Sequence, residues 1–356
     1  MTTTTKTFLH RAGILGAAVL LTATGLTGCG SSSQAGEVST VRYQSEQGLL
    51  DLIQMGEALN YFPTLKFTKR GDVTGGPVSL QALVSNQIDI SQQAFFGAIA
   101  QVVASGAPIK AVVSSYGAND KVHSALVTVA GSPITKPQDL LGKKIAVNTL
   151  GGNDEAVIDT YLHKSGLSAD QIKQITLVVL PPLNTVEALQ KHQIDVAYLK
   201  PGQLLAARNV VQLATLTTDV DVVGDYNAGG YAMTDQFLKQ NPHTSQELVT
   251  GVAKAIKYVE TQPVSQVLKV YTTWLKNNGF ANYVEPIEKN YPGDLGVASP
   301  IGAIAEADVA KWIPWLRSRG DFDTSTIVPS QIYTNEYNLL APGSTPVPGP
   351  TAQGAS

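Results

Sequence analysis

The chain has 356 residues, 43% of them hydrophobic and 15% charged, with a formal net charge of −3. That balance excludes a wholly disordered protein. Beyond the N-terminal region no apolar run approaches the ~18 residues of a spanning helix, which excludes a polytopic membrane protein. The length favours two lobes over one core, and 32 glycines with 19 prolines suit many short connections between elements.

The first element reads as an export signal. Lys6, His10 and Arg11 form a basic start, and residues 12–26 are almost wholly apolar or small, too short a stretch to span comfortably. The stretch closes on Leu26-Thr27-Gly28-Cys29, which resembles a bacterial lipobox, whose cysteine takes lipid. Cys29 is the only cysteine, so there is no internal disulfide and no cysteine-based metal site or Cys–His dyad elsewhere. The expected organisation is a signal peptide over 1–28 and a flexible linker over 29–37. Removing 1–28 takes away Lys6 and Arg11 and no acid, leaving a net charge of −5, against a duplex nucleic-acid binder. Residues 342–356, rich in Pro, Gly and Ser, are expected to form a disordered tail.

Between these ends short β-type runs alternate with helical stretches. Strands are predicted at 40–44, 65–68, 88–91, 110–114, 124–129, 144–148, 175–179, 195–199 and 210–215, mostly Val/Ile-rich and bounded by Gly, Pro or Asn. Helices are predicted at 49–59, 77–85, 95–104, 154–165, 185–191 and 202–207. After Tyr226 the pattern turns mostly helical, at 234–239, 245–262, 264–277 and 303–319. This order fits two α/β lobes whose chain crosses back. One internal echo supports them: QALVSNQIDIS (81–91) is matched by EALQKHQIDVA (187–197), with Leu83 and Leu189 expected to pack on the sheets and Asp89 and Asp195 to mark strand starts. Convergent use of a common helix-to-strand connection would give the same echo.

Several segments in this order resemble the NMT1/THI5-like periplasmic substrate-binding proteins of nitrate, sulfonate, taurine and thiamine-precursor uptake. They are VRYQSEQGLLDLIQMGEAL, GGPVSLQALVSNQIDIS, PITKPQDLLGKKIAVNTLGGNDEAVIDTYLHKSGL, NTVEALQKHQIDVAYL and DTSTIVPSQIYTNEY. The resemblance implies an α/β, two-lobed type II periplasmic-binding-protein fold with a ligand cleft between the lobes. Lobe I would take 38–124 and 225–341, and lobe II 125–224. It implies an extracytoplasmic receptor, lipid-anchored to the cell membrane through Cys29, that captures a small polar organic molecule and delivers it to an ABC permease and its ATPase. The receptor is expected to be a monomer needing no cofactor or metal. A pyrimidine-synthesis-like enzyme of the same fold, or an envelope sensing module, are the alternatives. The sequence carries no HExxH, GxSxG, GxGxxG or GxxxxGK[ST] motif, so no catalytic residues are assigned.

Ligand contacts in such a fold are expected at strand C-termini and helix N-termini, where backbone N–H groups are free. Gln44, Ser45 and Gln47 follow the first strand, either as ligand contacts or with Ser45 as a helix cap. Gly75 and Gly76 precede Pro77, allowing a close backbone approach or a plain turn. Gln92, Gln93 and Phe95 end the third strand, one Gln being expected in the cleft with a Phe against an apolar part of the ligand. The leading candidate is Asn148, Thr149, Gly152, Asn153 and Asp154, where Thr149 and the loop amides suit an oxyanion. Asp154 and Glu155 would repel one, which leaves room for a neutral, zwitterionic or amine-bearing ligand. Tyr198 and Lys200 follow the second QID strand, and Tyr226 and Asn227 stand where the chain returns to lobe I. Trp312 and Trp315, at i and i+3, read as core.

Overall fold

The computed structural model describes residues 36–45, 48–73, 75–320, 325 and 327–348. The expected signal peptide, Cys29, most of the linker and Gln47 lie outside the described residues. Residues from Glu37 onward form one compact unit.

The elements alternate in chain order: β1 (Thr40–Ser45), α1 (Leu52–Ala58), β2 (Lys66–Asp72), α2 (Gly76–Val84), β3 (Ser91–Phe95), α3 (Phe96–Ala104) and β4 (Ile109–Ala118). A second run follows with β5 (Ala125–Val129), β6 (Lys144–Val147), α4 (Asn153–Lys164), α5 (Ala169–Ile172), β7 (Thr176–Val179), α6 (Pro182–Gln190), β8 (Val196–Leu199), α7 (Pro201–Arg208), β9 (Leu213–Thr218) and α8 (Asp219–Val223). The last part holds β10 (Tyr226–Thr234), α9 (Asp235–Gln240), α10 (Pro242–Thr261), α11 (Val264–Asn277), α12 (Val284–Asn290), α13 (Glu306–Ala310), α14 (Ile313–Arg319) and α15 (Pro329–Ile332).

The second run builds one five-stranded mixed sheet, ordered β7-β6-β8-β5-β9. The other strands form a parallel β1-β2 pair and an antiparallel β3-β10-β4 sheet, joined by a Tyr43–Ile90 bridge. The chain therefore passes between sheets twice, before β5 and after β9. The third strand starts at Ser91, later than the predicted 88–91, and Asp89 and Ile90 pair with β1 instead.

The two echoed segments fold alike. Leu83 and Leu189 are both fully buried. Asn86 and His192 both adopt left-handed φ angles, 57° and 55°. The Asp89 carboxylate accepts the Arg42 amide at 2.7 Å, and Asp195 accepts the Lys144 amide at 2.8 Å. Each Asp also donates its own N–H to the same partner's carbonyl, at 2.9 and 3.0 Å. QID is thus a two-bond clamp that fixes a strand to its parallel neighbour, used once in each half. A left-handed residue with a side chain is strained relative to glycine. His192→Gly is therefore expected to raise stability by ~0.5–1 kcal/mol, while Asn86, whose side chain accepts from Arg42 at 2.7 Å, gains less. Urea denaturation of both glycine variants checks this.

The strand absent from the sequence prediction is β10. It lies between β3 and β4 and is buried along nearly its whole length. Its YNAGGYAMT sequence has weak β character, yet the glycines are what the position demands. A Cβ on Gly230 would lie 1.9 Å from the Val113 carbonyl oxygen, and one on Gly229 2.1 Å from that of Ala94.

Helix α10 presents Leu248, Val252, Ile256 and Val259 on one buried face, packed with Val41, Tyr43 and Tyr231. The Phe62 ring fills the space left by Gly56 and Gly251, where added Cβ atoms would come within 2.3 and 2.1 Å of it. The single helix predicted at 303–319 is two, α13 and α14, broken at Lys311-Trp312 just ahead of Pro314. The first and last described segments are both held at α10. Glu37 accepts the Thr244 amide at 2.8 Å, so the ordered body starts inside the expected linker. The expected disordered tail needs correction over 342–348. There Gln246 donates to the Thr345 carbonyl and accepts the Val347 amide, satisfying backbone groups that composition alone leaves open.

Candidate functional site

A cavity of about 140 Å³ lies between the five-stranded sheet and the β3-β10-β4 sheet. One wall holds Gly76 and Pro77 at the start of α2, Gln93 and Phe95 on β3, Tyr116 on β4, and Tyr226 and Ala228 on β10. The opposite wall holds Asn148, Thr149, Gly152, Asn153 and Asp154 from the β6–α4 loop, Lys200 ahead of α7, and Asp219 at the start of α8. Tyr291, Asp294 and Leu295 close one side.

At the centre sits a carboxylate hub. Asp219 is 2% exposed. Its two oxygens each accept the Ser124 amide at 3.1 Å, and it takes the hydroxyls of Tyr226 at 3.3 Å and Tyr198 at 3.4 Å. Tyr226 in turn accepts from the Asn153 side-chain amide at 3.0 Å. Burial, with Asp219 nearby, holds both phenols well above the usual tyrosine range, so they stay protonated and donate. Burial raises Asp219 above the usual carboxylate range despite these donors. Ser124 and Asp219 stand at the two passages of the chain between sheets. The hub therefore ties both passages to the cavity floor.

Asp154 is also 2% exposed, and burial raises it while Lys200 opposes the shift. Behind the cavity, Trp312 meets Phe95 and Tyr226 edge-on, with centroids 4.8 and 5.5 Å apart, and Trp315 meets Phe95 at 5.6 Å. These tryptophans are buried, as their spacing suggested, and they brace the wall formed by β3 and β10. Among the described residues no group of three or more His, Cys, Asp or Glu stands ready to hold a metal.

The side walls touch at two further points. A Cβ on Gly75 would lie 3.0 Å from side-chain atoms of Asn148 and Thr149, and one on Gly202 2.8 Å from the Asn290 carbonyl. Gly76 approaches the Gln93 carbonyl, which a Cβ would meet at 2.5 Å. The close approach expected of Gly75-Gly76 is thus to the protein's own chain.

Of the residues singled out from sequence, Gly76, Gln93, Phe95, Asn148, Thr149, Gly152, Asn153, Asp154, Lys200 and Tyr226 meet at the cavity. The other described ones do not line it. Gly75 seals the wall contact just described. Tyr198 lies beneath the floor against Asp219. Asn227 turns away, donating to Asp308 at 2.9 Å and accepting the Ala298 amide at 2.8 Å. Gln92 points to the other face of β3, where its Oε1 accepts from Tyr231. Gln93 takes a φ of 53°, and the two neighbouring side chains part there. Ser45 is buried beside Asp51, Lys69 and Tyr271 in a separate small pocket, and the cap on α1 is Asp51 rather than Ser45. Gln44 ends in a buried oxygen without a partner and does not reach the cavity.

Tyr116, Ser124, Asp219 and the 291–295 wall were missed. One signal was present for Asp219: Thr218 and Asp221 form a reciprocal capping pair that starts α8. The 291–295 wall is held by Glu260, which accepts the Leu295 amide at 2.8 Å. Burial, with Asp294 nearby, pushes Glu260 up to about 7. Its neutral form is favoured on folding, so its contribution is full below the unfolded value near 4.5 and is lost as pH rises through about 7. Thermal stability is therefore expected to fall between pH 5 and 8. Glu260→Gln should flatten that slope by on the order of 1–2 kcal/mol, discounted for partial exposure.

The NMT1/THI5-like family profile matches residues 75–266, more than half of the chain and most of the cavity-lining loops. The chain belongs to the NMT1/THI5-like family. Among curated protein sequences none matches it. Solved structures share its periplasmic-binding-protein fold. A protein from Bordetella bronchiseptica RB50 is 23% identical, with 84% of this chain and 96% of that one covered and a TM-score of 0.68. The alkanesulfonate-binding protein SsuA from Xanthomonas axonopodis pv. citri, bound to MOPS, is 18% identical over 84% and 99%, TM-score 0.63. The periplasmic nitrate-binding protein NrtA from Synechocystis PCC 6803 is 14% identical over 85% and 87%, TM-score 0.62. The fold also occurs in the desulfurization enzyme DSZB, at 10% identity and a TM-score of 0.56. This NMT1/THI5-like chain is thus an α/β, two-lobed binding-protein fold. None of its described helices is long and apolar enough to cross a membrane.

Proposed function

We propose that this NMT1/THI5-like protein is an extracytoplasmic receptor that captures a small polar organic molecule and delivers it to an ABC permease and its ATPase. The observation that carries the proposal is a cavity walled by both lobes, whose polar floor is tied to both passages of the chain between them. A ligand touching both walls stabilises their approach, and the two passages serve as the hinge, with 38–124 and 225–341 moving against 125–224. The export-type N-terminus and Cys29 support a lipid anchor to the cell membrane. Small-angle scattering with and without bound ligand tests the mechanism: the radius of gyration is expected to fall on binding, and an unchanged radius at saturation would overturn it. Cys29→Ala is expected to release the protein from the membrane fraction without changing ligand affinity.

A further inference from the structure

We infer that the cleft selects a ligand carrying a protonated amine or amidine, not an oxyanion, and holds that group against Asp154. This rests on the receptor proposal and adds the charge class of its ligand.

Three carboxylates line the cavity, Asp154, Asp219 and Asp294, against one cation, Lys200. In a cleft with low-dielectric walls that balance sets the sign of the potential a ligand meets. Three amides around the cleft are taken by the protein's own carboxylates. Glu155 accepts the Gly151 amide at 2.7 Å, Asp154 accepts that of Asn148 at 3.4 Å, and Asp219 accepts that of Ser124. The first turn of α4 thus carries its own anions where an anionic ligand would sit. A carboxylate offers about four acceptor positions. Asp154, buried and holding the Asn148 amide only at long range, keeps acceptor capacity for a donor-bearing guest. Buried charge is stable when paired and hydrogen-bonded, and an ammonium supplies both. Phe95, Tyr116, Tyr226 and Tyr291 add aromatic surface to the same cavity, which attracts cations and accommodates an apolar body.

Matched probes test this: propylammonium against propanesulfonate, and benzylammonium against benzenesulfonate, with nitrate as a small anion, by calorimetry and thermal shift on the mature chain. The ammonium member of at least one pair is expected to bind one per chain, and the sulfonates and nitrate to bind at least tenfold more weakly. Asp154→Asn should weaken ammonium binding at least tenfold. Lys200→Gln, a change at the rim that serves as a second variant should Asp154→Asn fail to fold, should strengthen it about twofold or more. A sulfonate or nitrate that binds tighter than the ammonium probes, ammonium binding indifferent to both substitutions, or no ammonium binding at all would overturn the assignment. Cleft closure around an oxyanion would do so while leaving the receptor proposal standing. Chemical conversion of a bound probe would overturn the receptor proposal instead.

Discussion

Gly230→Ala is expected to abolish accumulation of folded protein, or to lower its stability by more than ~4 kcal/mol, the range reserved for severe backbone or core disruption. Val113 belongs to β4, a strand hydrogen-bonded to β10, and its carbonyl stands 1.9 Å from where the methyl would go. The contact is with backbone, so no side chain can rotate away. Relief requires β10 to move off β4, which breaks the sheet at its central strand and shifts Tyr226 and Ala228 out of the cavity wall. Soluble yield and circular dichroism check the result. A control at Gly131, whose added Cβ meets nothing but whose φ is 82°, should lose only ~1–2 kcal/mol.

Asp219→Ala is expected to cost ~3–5 kcal/mol and to lower Tm by roughly 5–15 °C. Removing the carboxylate leaves the Ser124 amide and the Tyr198 hydroxyl without this acceptor, and the Tyr226 hydroxyl with only the Asn153 side-chain oxygen, in a buried site. Asp219→Asn keeps one acceptor oxygen and should recover part of the loss. Comparison of the two variants by differential scanning calorimetry separates the hydrogen-bond network from the charge. Both variants should also loosen the two inter-sheet passages, so ligand affinity is expected to fall further than stability alone explains.

Much of this architecture was legible because local pattern and tertiary role agreed. The QID clamp was visible as an echo at 81–91 and 187–197, since the same Asp-to-amide bonds after a left-handed turn use the same Gln-Ile-Asp twice. The β6–α4 loop was legible as a cavity wall because a strand end, paired glycines and a helix start coincide there. What was missed depends on contacts far apart in sequence. The β10 glycines look like a loop until strands from two other parts of the chain close on them. The role of Asp219 depends on Ser124, 95 residues earlier. Gln92 and Gln93 were indistinguishable in sequence, and only the left-handed φ at Gln93 decides which faces the cavity. Asn227 stood in the right segment, but Asp308 and Ala298 hold its side chain elsewhere.

The central claim is capture without chemistry in a cavity shared by the two lobes. Native mass spectrometry of the mature chain, purified without denaturation, measures it most directly. The account predicts one small molecule per chain, released with its mass unchanged after prolonged incubation, and lost from the Asp219→Asn and Tyr226→Phe variants while these remain folded. Progressive appearance of a product mass, or retention of the molecule undiminished in both variants, would contradict it.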